Sequence, residues 1–258
     1  MGFRAARQGF TLIELLASLT ILTILGFIVT SAGWQLYASS SLAISANNIR
    51  QLAAGGMNYL ADNNNFYWNY VKYAQENATT DKIWWFGFET TASQRRSEGK
   101  RDFDPTQGPL GNYVPKSFRP DPSFALGGNA FKPKYRNGYI GVGYNALLGG
   151  GMVCNTTPPE TTNQLQVTNL ANIVVFFTSA QVNTFNPPAS PQRPMLEEFY
   201  GIDENEVTVH FRHNGKAMVS FASGNAGFIP IDESTRDQRS PRSNVGRFAP
   251  VGNTLFLK

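Results

Sequence analysis

One cysteine, Cys154, in 258 residues leaves no disulfide within the chain, so packing and hydrogen bonds must hold the fold without covalent cross-links. Only two histidines are present, His210 and His213, which leaves few groups able to exchange protons near neutrality. Nothing sets a Ser, His and Asp side by side, and no glycine-rich loop is followed by Lys-Ser or Lys-Thr, so no nucleophilic triad, phosphate-binding loop or cofactor box is predicted. Charge of one sign is also scarce. The chain has 22 basic and 18 acidic residues, a net +4, and the basics are scattered. Arg95, Arg96, Lys100 and Arg101 read as a solvated face of a polar loop, and nucleic acid is not expected as a partner for so thin a basic patch.

Proline and charge are both missing from most of one segment. Phe10 to Gly33 is 24 residues with no proline and a single charge, Glu14. As a helix rising about 1.5 Å per residue it is long enough to cross a hydrocarbon core of about 30 Å. Arg4 and Arg7 on the short flank put the N-terminus in the cytoplasm and the remainder outside. A secretory signal peptide cut near Ser31-Ala32-Gly33 is one reading, but its apolar core normally runs about 7–15 residues. A permanent single-pass anchor fits the length and gives Glu14 no task. That carboxylate costs about 2.5–3.5 kcal/mol near the middle of a bilayer and needs a reason to be there.

"QGFTLIELL", after the short basic leader "MGFRAARQG", resembles the cleavage and methylation motif of type IV pilins and of the pseudopilins of type II secretion. The resemblance implies cleavage after Gly9 by a prepilin peptidase and methylation of the new terminus at Phe10. Glu14 then has a partner. The freed α-amine has an ordinary pKa of about 7.7–8 and is largely cationic at neutral pH. Glu14 sits one helical turn from it, and can neutralise it in its own chain or in the next subunit of a stack. The implied product is a homo-oligomeric or mixed filament of pilin-like subunits. Its precursor would be held in the inner membrane, with the globular part periplasmic and later in a periplasmic or cell-surface filament. A membrane-anchored surface binding module that never polymerises is the alternative from a different class.

Past the apolar segment, Ile49, Leu52, Ala53, Gly56, Met57 and Leu60 keep the i, i+3, i+4, i+7 spacing of an amphipathic helix, and "ADNNNF" supplies stop and turn residues. One helix is therefore expected from Phe10 to Ala61, with Gly26, Gly33 and Gly55-Gly56 as weak points or close-packing sites. "NIVVFFTSA", Asn172 to Ala180, reads as a buried central strand. In "NGYIGVGYNALLGG", Gly141 and Gly143 leave one strand face bare, which predicts close backbone approach, with the long helix as the candidate neighbour. "EVTVHFRHNGKAMVSF" reads as a hairpin, with Val207, Val209 and Phe211 alternating in one arm, Ala217, Val219 and Phe221 in the other, and an Asn-Gly turn between.

"NNIRQLAAGGMNYLADNNNFYW" and the hairpin residues Arg212, His213, Gly215, Ala217, Val219, Phe221 and Gly224 resemble a branch of prepilin-like proteins of planctomycete- and verrucomicrobia-type bacteria. That branch carries His-x9-Asp-Gly where this chain has His-x9-Ser-Gly. Met218 and Ser223 replace its usual Asn and Asp, which removes the carboxylate a His–Asp pair or ion site would need. On a strand, His210 and His213 point to opposite faces, so a half-exposed His210 and a turn-stabilising His213 are expected instead of a metal pair. Asp203, Glu204 and Glu206 are weak calcium candidates without the spacing of an EF-hand loop, and no cofactor is expected. The Arg-rich stretch before the end of the chain could close as a last strand or meet a neighbouring subunit.

The expected architecture is α+β, a long N-terminal helix packed on an antiparallel sheet. Its parts are a leader at 1–9, a membrane-spanning half of the helix at 10–33, an amphipathic half at 34–62 and a globular β domain at 63–258.

Overall fold

The computed structural model describes residues 11–75, 79–114, 130–136, 141–185 and 187–250. The first helix, α1, runs Leu12–Asp62. The chain divides into two compact units, Met1–Ser40 and Ser41–Lys258, and the division falls inside that helix.

Among the described residues of the first unit, α1 has no large apolar side chain buried by its own chain. From Leu12 to Val29 the large apolar side chains range from 52% exposed at Leu19 and Leu25 to 78% at Leu12, and Tyr37 further on is 43% exposed. Gly26 and Gly33 have nothing within 4 Å of an added Cβ. The stretch Leu12–Thr30, 19 residues, is long and apolar enough to cross a membrane, about 28 Å at the helical rise. Its hydroxyls are tied down locally. Ser18 Oγ donates to the Glu14 carbonyl at 2.7 Å, Thr20 Oγ1 to Leu16 at 2.8 Å and Thr23 Oγ1 to Thr20 at 2.8 Å. Back-bonded hydroxyls present little unsatisfied polarity to lipid, which makes them acceptable in such a helix.

In the second unit α1 buries one stripe: Ser41, Ser45, Asn48, Ile49, Leu52, Ala53, Gly56 and Leu60. Met57, expected in that stripe, is 37% exposed and sits at its edge. The helix ends as its asparagines predict. Asn64 and Asn65 adopt left-handed backbone (φ 53° and 63°), and Asn65 N–H reaches back to the Leu60 carbonyl at 2.8 Å. This six-to-one closure satisfies carbonyls that the last turn would otherwise leave open.

The strands of the second unit are β1 Val71–Tyr73, β2 Lys82–Trp84, β3 Gly87–Glu89, β4 Ala130–Lys132, β5 Val142–Asn145, β6 Val174–Thr178, β7 Gln181–Val182, β8 Met195–Glu197, β9 Gly201–Ile202, β10 Val209–His210, β11 Lys216–Phe221, β12 Ala226–Pro230 and β13 Val245–Gly246. The main sheet is ordered β12-β11-β6-β5-β9, with three small sheets, β1-β2-β3, β4-β8-β7 and β10-β13, beside it. A four-residue helix α2, Thr91–Gln94, interrupts the polar loop after β3. β6 is central and buried at all five positions, as its β-branched and aromatic residues predict.

Both faces of the main sheet are covered. Met218, Phe176 and Tyr144 join Ile49, Leu52 and Leu60 of α1 in one cluster with Trp68 and Trp85. Ala217, Val219 and Phe177 join Val209, Phe211 and Phe248 in the other. A long helix therefore packs on one face of a mostly antiparallel sheet, an α+β arrangement consistent with a pilin-like fold.

The expected hairpin is corrected in part. Its turn is there: Asn214 (φ 53°) and Gly215 (φ 73°) are both left-handed, and His213 and Lys216 exchange backbone hydrogen bonds at 3.1 Å. Its first arm is not. β11 already has β12 on one side and β6 on the other, so neither edge is open. β10 leaves the sheet, pairs with β13 and lays Val209 and Phe211 over the second face. Alternation identifies an inward-facing strand but not the strand it pairs with.

The glycine expectation is also redirected. Gly143 pairs with Phe177 across β5 and β6, and an added Cβ would lie 2.5 Å from the Phe177 ring. The close approach is a neighbouring aromatic side chain, not the long helix.

Candidate functional site

The start of α1 carries the residues singled out by sequence. Gly9 and Phe10 lie outside the described residues. Glu14 lies within them, and its geometry is that of a helix cap. Thr11 N–H donates to Glu14 Oε2 at 2.9 Å and Thr11 Oγ1–H to the same oxygen at 2.8 Å, while Glu14 N–H donates to Thr11 Oγ1 at 3.3 Å. Thr11 is thus the N-cap and Glu14 the third helical residue of a reciprocal capping box. Two backbone donors at the helix start are satisfied, and a negative charge is placed at the positive end of the helix dipole. The Thr-x-x-Glu spacing was visible in sequence and is the one site signal that attention to charge alone misses.

This arrangement leaves the carboxylate exposed and prepared. Both side-chain bonds go to Oε2, and among the described residues Oε1 accepts none. Oε1 is therefore open to a cation arriving from outside the described residues, without first breaking the cap. Apolar side chains above and below it lower the local dielectric once lipid or a second helix surrounds them, and attraction to a positive partner then strengthens several-fold over its value in water.

The other candidates are occupied by the fold. Asp203 Oδ1 accepts from the backbone N–H of Asn205 at 2.8 Å and of Glu206 at 3.0 Å, closing a turn. Arg247 lies beneath that turn, donating to the Glu206 carbonyl at 2.6 Å and to the Asp203 carbonyl at 3.3 Å. Burial and the nearby Asp203 charge push the Glu206 carboxyl upward. Glu204 is exposed. Among the described residues no three His, Cys, Asp or Glu side chains are grouped to hold a metal ion.

His210 departs from expectation, being 2% exposed on β10 instead of half-exposed. Burial, and the Arg212 guanidinium whose Nη1 is 3.3 Å from His210 Nδ1, hold its pKa well below the ordinary value. His213 sits at the tight turn with its ring edge-on to Phe228, 6.2 Å between centroids.

Arg101 is likewise no surface charge. Its Nε and Nη2 make a two-pronged contact with the fully buried Glu89 at 2.8 and 2.6 Å. Trp84 Nε1, Ser93 Oγ and Tyr135 OH donate to the same carboxylate at 3.0, 3.1 and 3.2 Å. Arg95, Arg96 and Lys100 are exposed as predicted, with Arg96 paired to Asp102 at 2.5 Å. The Arg-rich stretch after Asp232 is built into the second unit. Arg239 clasps the buried Asp237 at 2.5 Å, and β13 closes against β10.

Among known proteins, no curated protein and no solved structure matches this chain. Its N-terminus does match a family model: residues 4–30, which contain Gly9, Phe10, Thr11 and Glu14, carry the prokaryotic N-terminal methylation motif.

Proposed function

We propose that the chain is the precursor of a structural, non-enzymatic pilin-like or pseudopilin subunit. It is cut after Gly9, methylated at Phe10 and assembled into a filament through its N-terminal helices. The observation that carries this reading is Glu14: one exposed carboxylate at the head of an otherwise apolar, uncovered 19-residue span, inside the matched motif. An unpaired charge there is costly, whereas a carboxylate facing a new terminal amine is stabilised, so subunits settle in the register that joins the two.

In the membrane-bound state the leader faces the cytoplasm and the second unit lies outside. The second resemblance, over residues 47–68 and 212–224, supports reading the subunit as one of the planctomycete- and verrucomicrobia-type branch. The prepilin peptidase and its methyltransferase activity are the partners this processing requires.

Two measurements test the reading. The N-terminal peptide of the protein from its native host should begin at Phe10 and carry one added methyl group, and a Gly9→Val variant should retain the nine-residue leader. Glu14→Ala should still insert in the membrane but yield no filaments by electron microscopy. Filaments at normal yield from Glu14→Ala, or a mature protein still beginning at Met1, would leave the surface-module reading in its place.

A further inference from the structure

Beside the end of α1, remote in sequence from the processing motif, lies an open cleft of about 340 Å³. Its lining mixes flat aromatic and polar side chains: Tyr59, Phe66, Asp62, Asn63 and Lys72, with Tyr67 and Trp68 behind them. Phe66 is 40% exposed, and a backbone bridge to Asn163 fixes the main chain that presents its ring at the cleft.

Two further atoms mark the place. Tyr67 and Trp68 are each 2% exposed, yet among the described residues neither Tyr67 OH nor Trp68 Nε1 has a hydrogen-bond partner. A buried donor left unpaired costs about 1–3 kcal/mol, and native folds seldom tolerate one without a reason. The same two residues border a neighbouring void of only about 10 Å³, too small for a ligand.

The chemistry of the lining narrows the occupant. One Lys and one Asp give the cleft no net charge, so it lacks the clustered cations that phosphate or a nucleic-acid backbone requires. Amide, carboxylate, ammonium, phenol and indole groups together supply both donors and acceptors, which a purely apolar ligand leaves unused at a desolvation cost. A neutral sugar uses all of them. Each hydroxyl donates and accepts, and the ring's C–H face lies flat on an aromatic side chain. We infer that this cleft is a glycan-binding site that takes one or two rings of a neutral polysaccharide.

In this arrangement a sugar hydroxyl donates to Asp62 or Asn63, ring and hydroxyl oxygens accept from Lys72 and the two buried donors, and Phe66 or Tyr59 forms the platform. The inference is independent of processing and assembly. A non-polymerising surface protein would carry the same cleft.

The test uses the full chain in a detergent without a sugar headgroup. Maltotriose, cellotriose, mannotriose and N-acetylchitotriose are screened by saturation-transfer NMR, beside a sulfated trisaccharide and a single-stranded oligonucleotide. At least one neutral trisaccharide should bind, and the charged probes should not. Phe66→Ala and Tyr67→Phe should each weaken that binding about tenfold. Tyr67→Phe carries the decisive second readout. Losing an unpaired buried hydroxyl leaves thermal stability unchanged or raised, so a fall in affinity without a fall in Tm assigns the hydroxyl to the ligand. Binding of none of the neutral sugars, preference for either charged probe, or full affinity in Tyr67→Phe overturns the proposal.

Discussion

Glu14 and Glu89 are the same side chain in two opposite situations. Glu89 is fully buried and receives five hydrogen bonds, two from Arg101 and one each from Trp84, Ser93 and Tyr135. Glu14 is exposed, and its only side-chain donors among the described residues belong to Thr11. The apolar residues around them divide the same way. The large apolar side chains from Leu12 to Val29 are 52–78% exposed, while Ile49, Leu52 and Leu60 of the same helix are 0–4% exposed. The second unit covers its stripe of α1 and meets the Glu89 carboxylate from within. The first, among its described residues, has its hydroxyls and Glu14 bonded locally and its apolar surface exposed, a surface that the proposed function assigns to lipid and other helices. Substitutions after Ser41 should therefore register in the isolated subunit, and substitutions before Thr30 mainly in what the subunit joins.

Arg101→Ala should give the largest effect within the second unit. It strands the Glu89 carboxylate in a site with 0% exposure, and breaking a buried pair from one side costs about 3–5 kcal/mol. Thermal unfolding should show Tm lower by roughly 10 °C for a chain of this size. A shift no larger than that of Arg96→Ala, whose pair with Asp102 is open to solvent, would mean that Glu89 is wetter than its contacts imply and would blur the contrast with Glu14.

Next in size is Gly143→Ala. The new methyl would fall 2.5 Å from the Phe177 ring in the middle of the main sheet, forcing ring or backbone to move, at about 1–3 kcal/mol. The companion change Phe177→Leu should recover part of that loss by vacating the space. No recovery would place the strain in the backbone of β5 instead of at the ring.

How much of this was legible depends on how local the signal is. The long helix, its asparagine stop, the buried β6 and the Asn-Gly turn are written in residues that neighbour one another, and each is found where expected. The partner of β10 is not local. Val209 pairs with Gly246, and nothing in "EVTVHF" distinguishes β13 from β11. Arg101 sits in a polar, Gly- and Pro-containing stretch that looks solvated. Its burial depends on Glu89, 12 residues earlier, and on Tyr135, 34 residues later. At the helix start the balance reverses. Glu14 stands out by charge, and its cap by spacing to Thr11, because both features lie within one turn.

A smaller effect concerns pH. Burial and the nearby Glu98 carboxylate push the Glu197 pKa up from 4.5 to about 7. The folded state then keeps a proton that the unfolded chain has released, so this residue's contribution to stability declines as pH rises from 4.5 to about 7. Glu197→Gln should remove that decline. His210 acts in the opposite sense. Its depressed pKa means the unfolded chain takes up a proton first, so acidification below its ordinary 6.5 lowers stability. The Gln variant should therefore show Tm rising with pH across this window, where the parent is flatter. An unchanged profile would assign Glu197 a wetter environment than its 2% exposure indicates.

The smallest expected effect in the isolated protein bears on the contrast most directly, and it takes two glycines of one helix. A Cβ on Gly55 would meet Val114 Cγ2 at 2.8 Å and the Tyr113 carbonyl at 3.1 Å, whereas a Cβ on Gly26 would meet nothing within 4 Å. Alanine favours a helix by about 1 kcal/mol over glycine, so Gly26→Ala should leave Tm in detergent unchanged or slightly raised, and Gly55→Ala should lower it. Filament yield should then respond to Gly26→Ala only where neighbouring helices approach that close. If Gly26→Ala lowers Tm in the isolated subunit as much as Gly55→Ala does, the first unit packs against its own chain and the division drawn between the two carboxylates fails. If Gly26→Ala instead leaves the subunit intact but cuts filament yield, the unclaimed surface of α1 is claimed by other subunits at that residue.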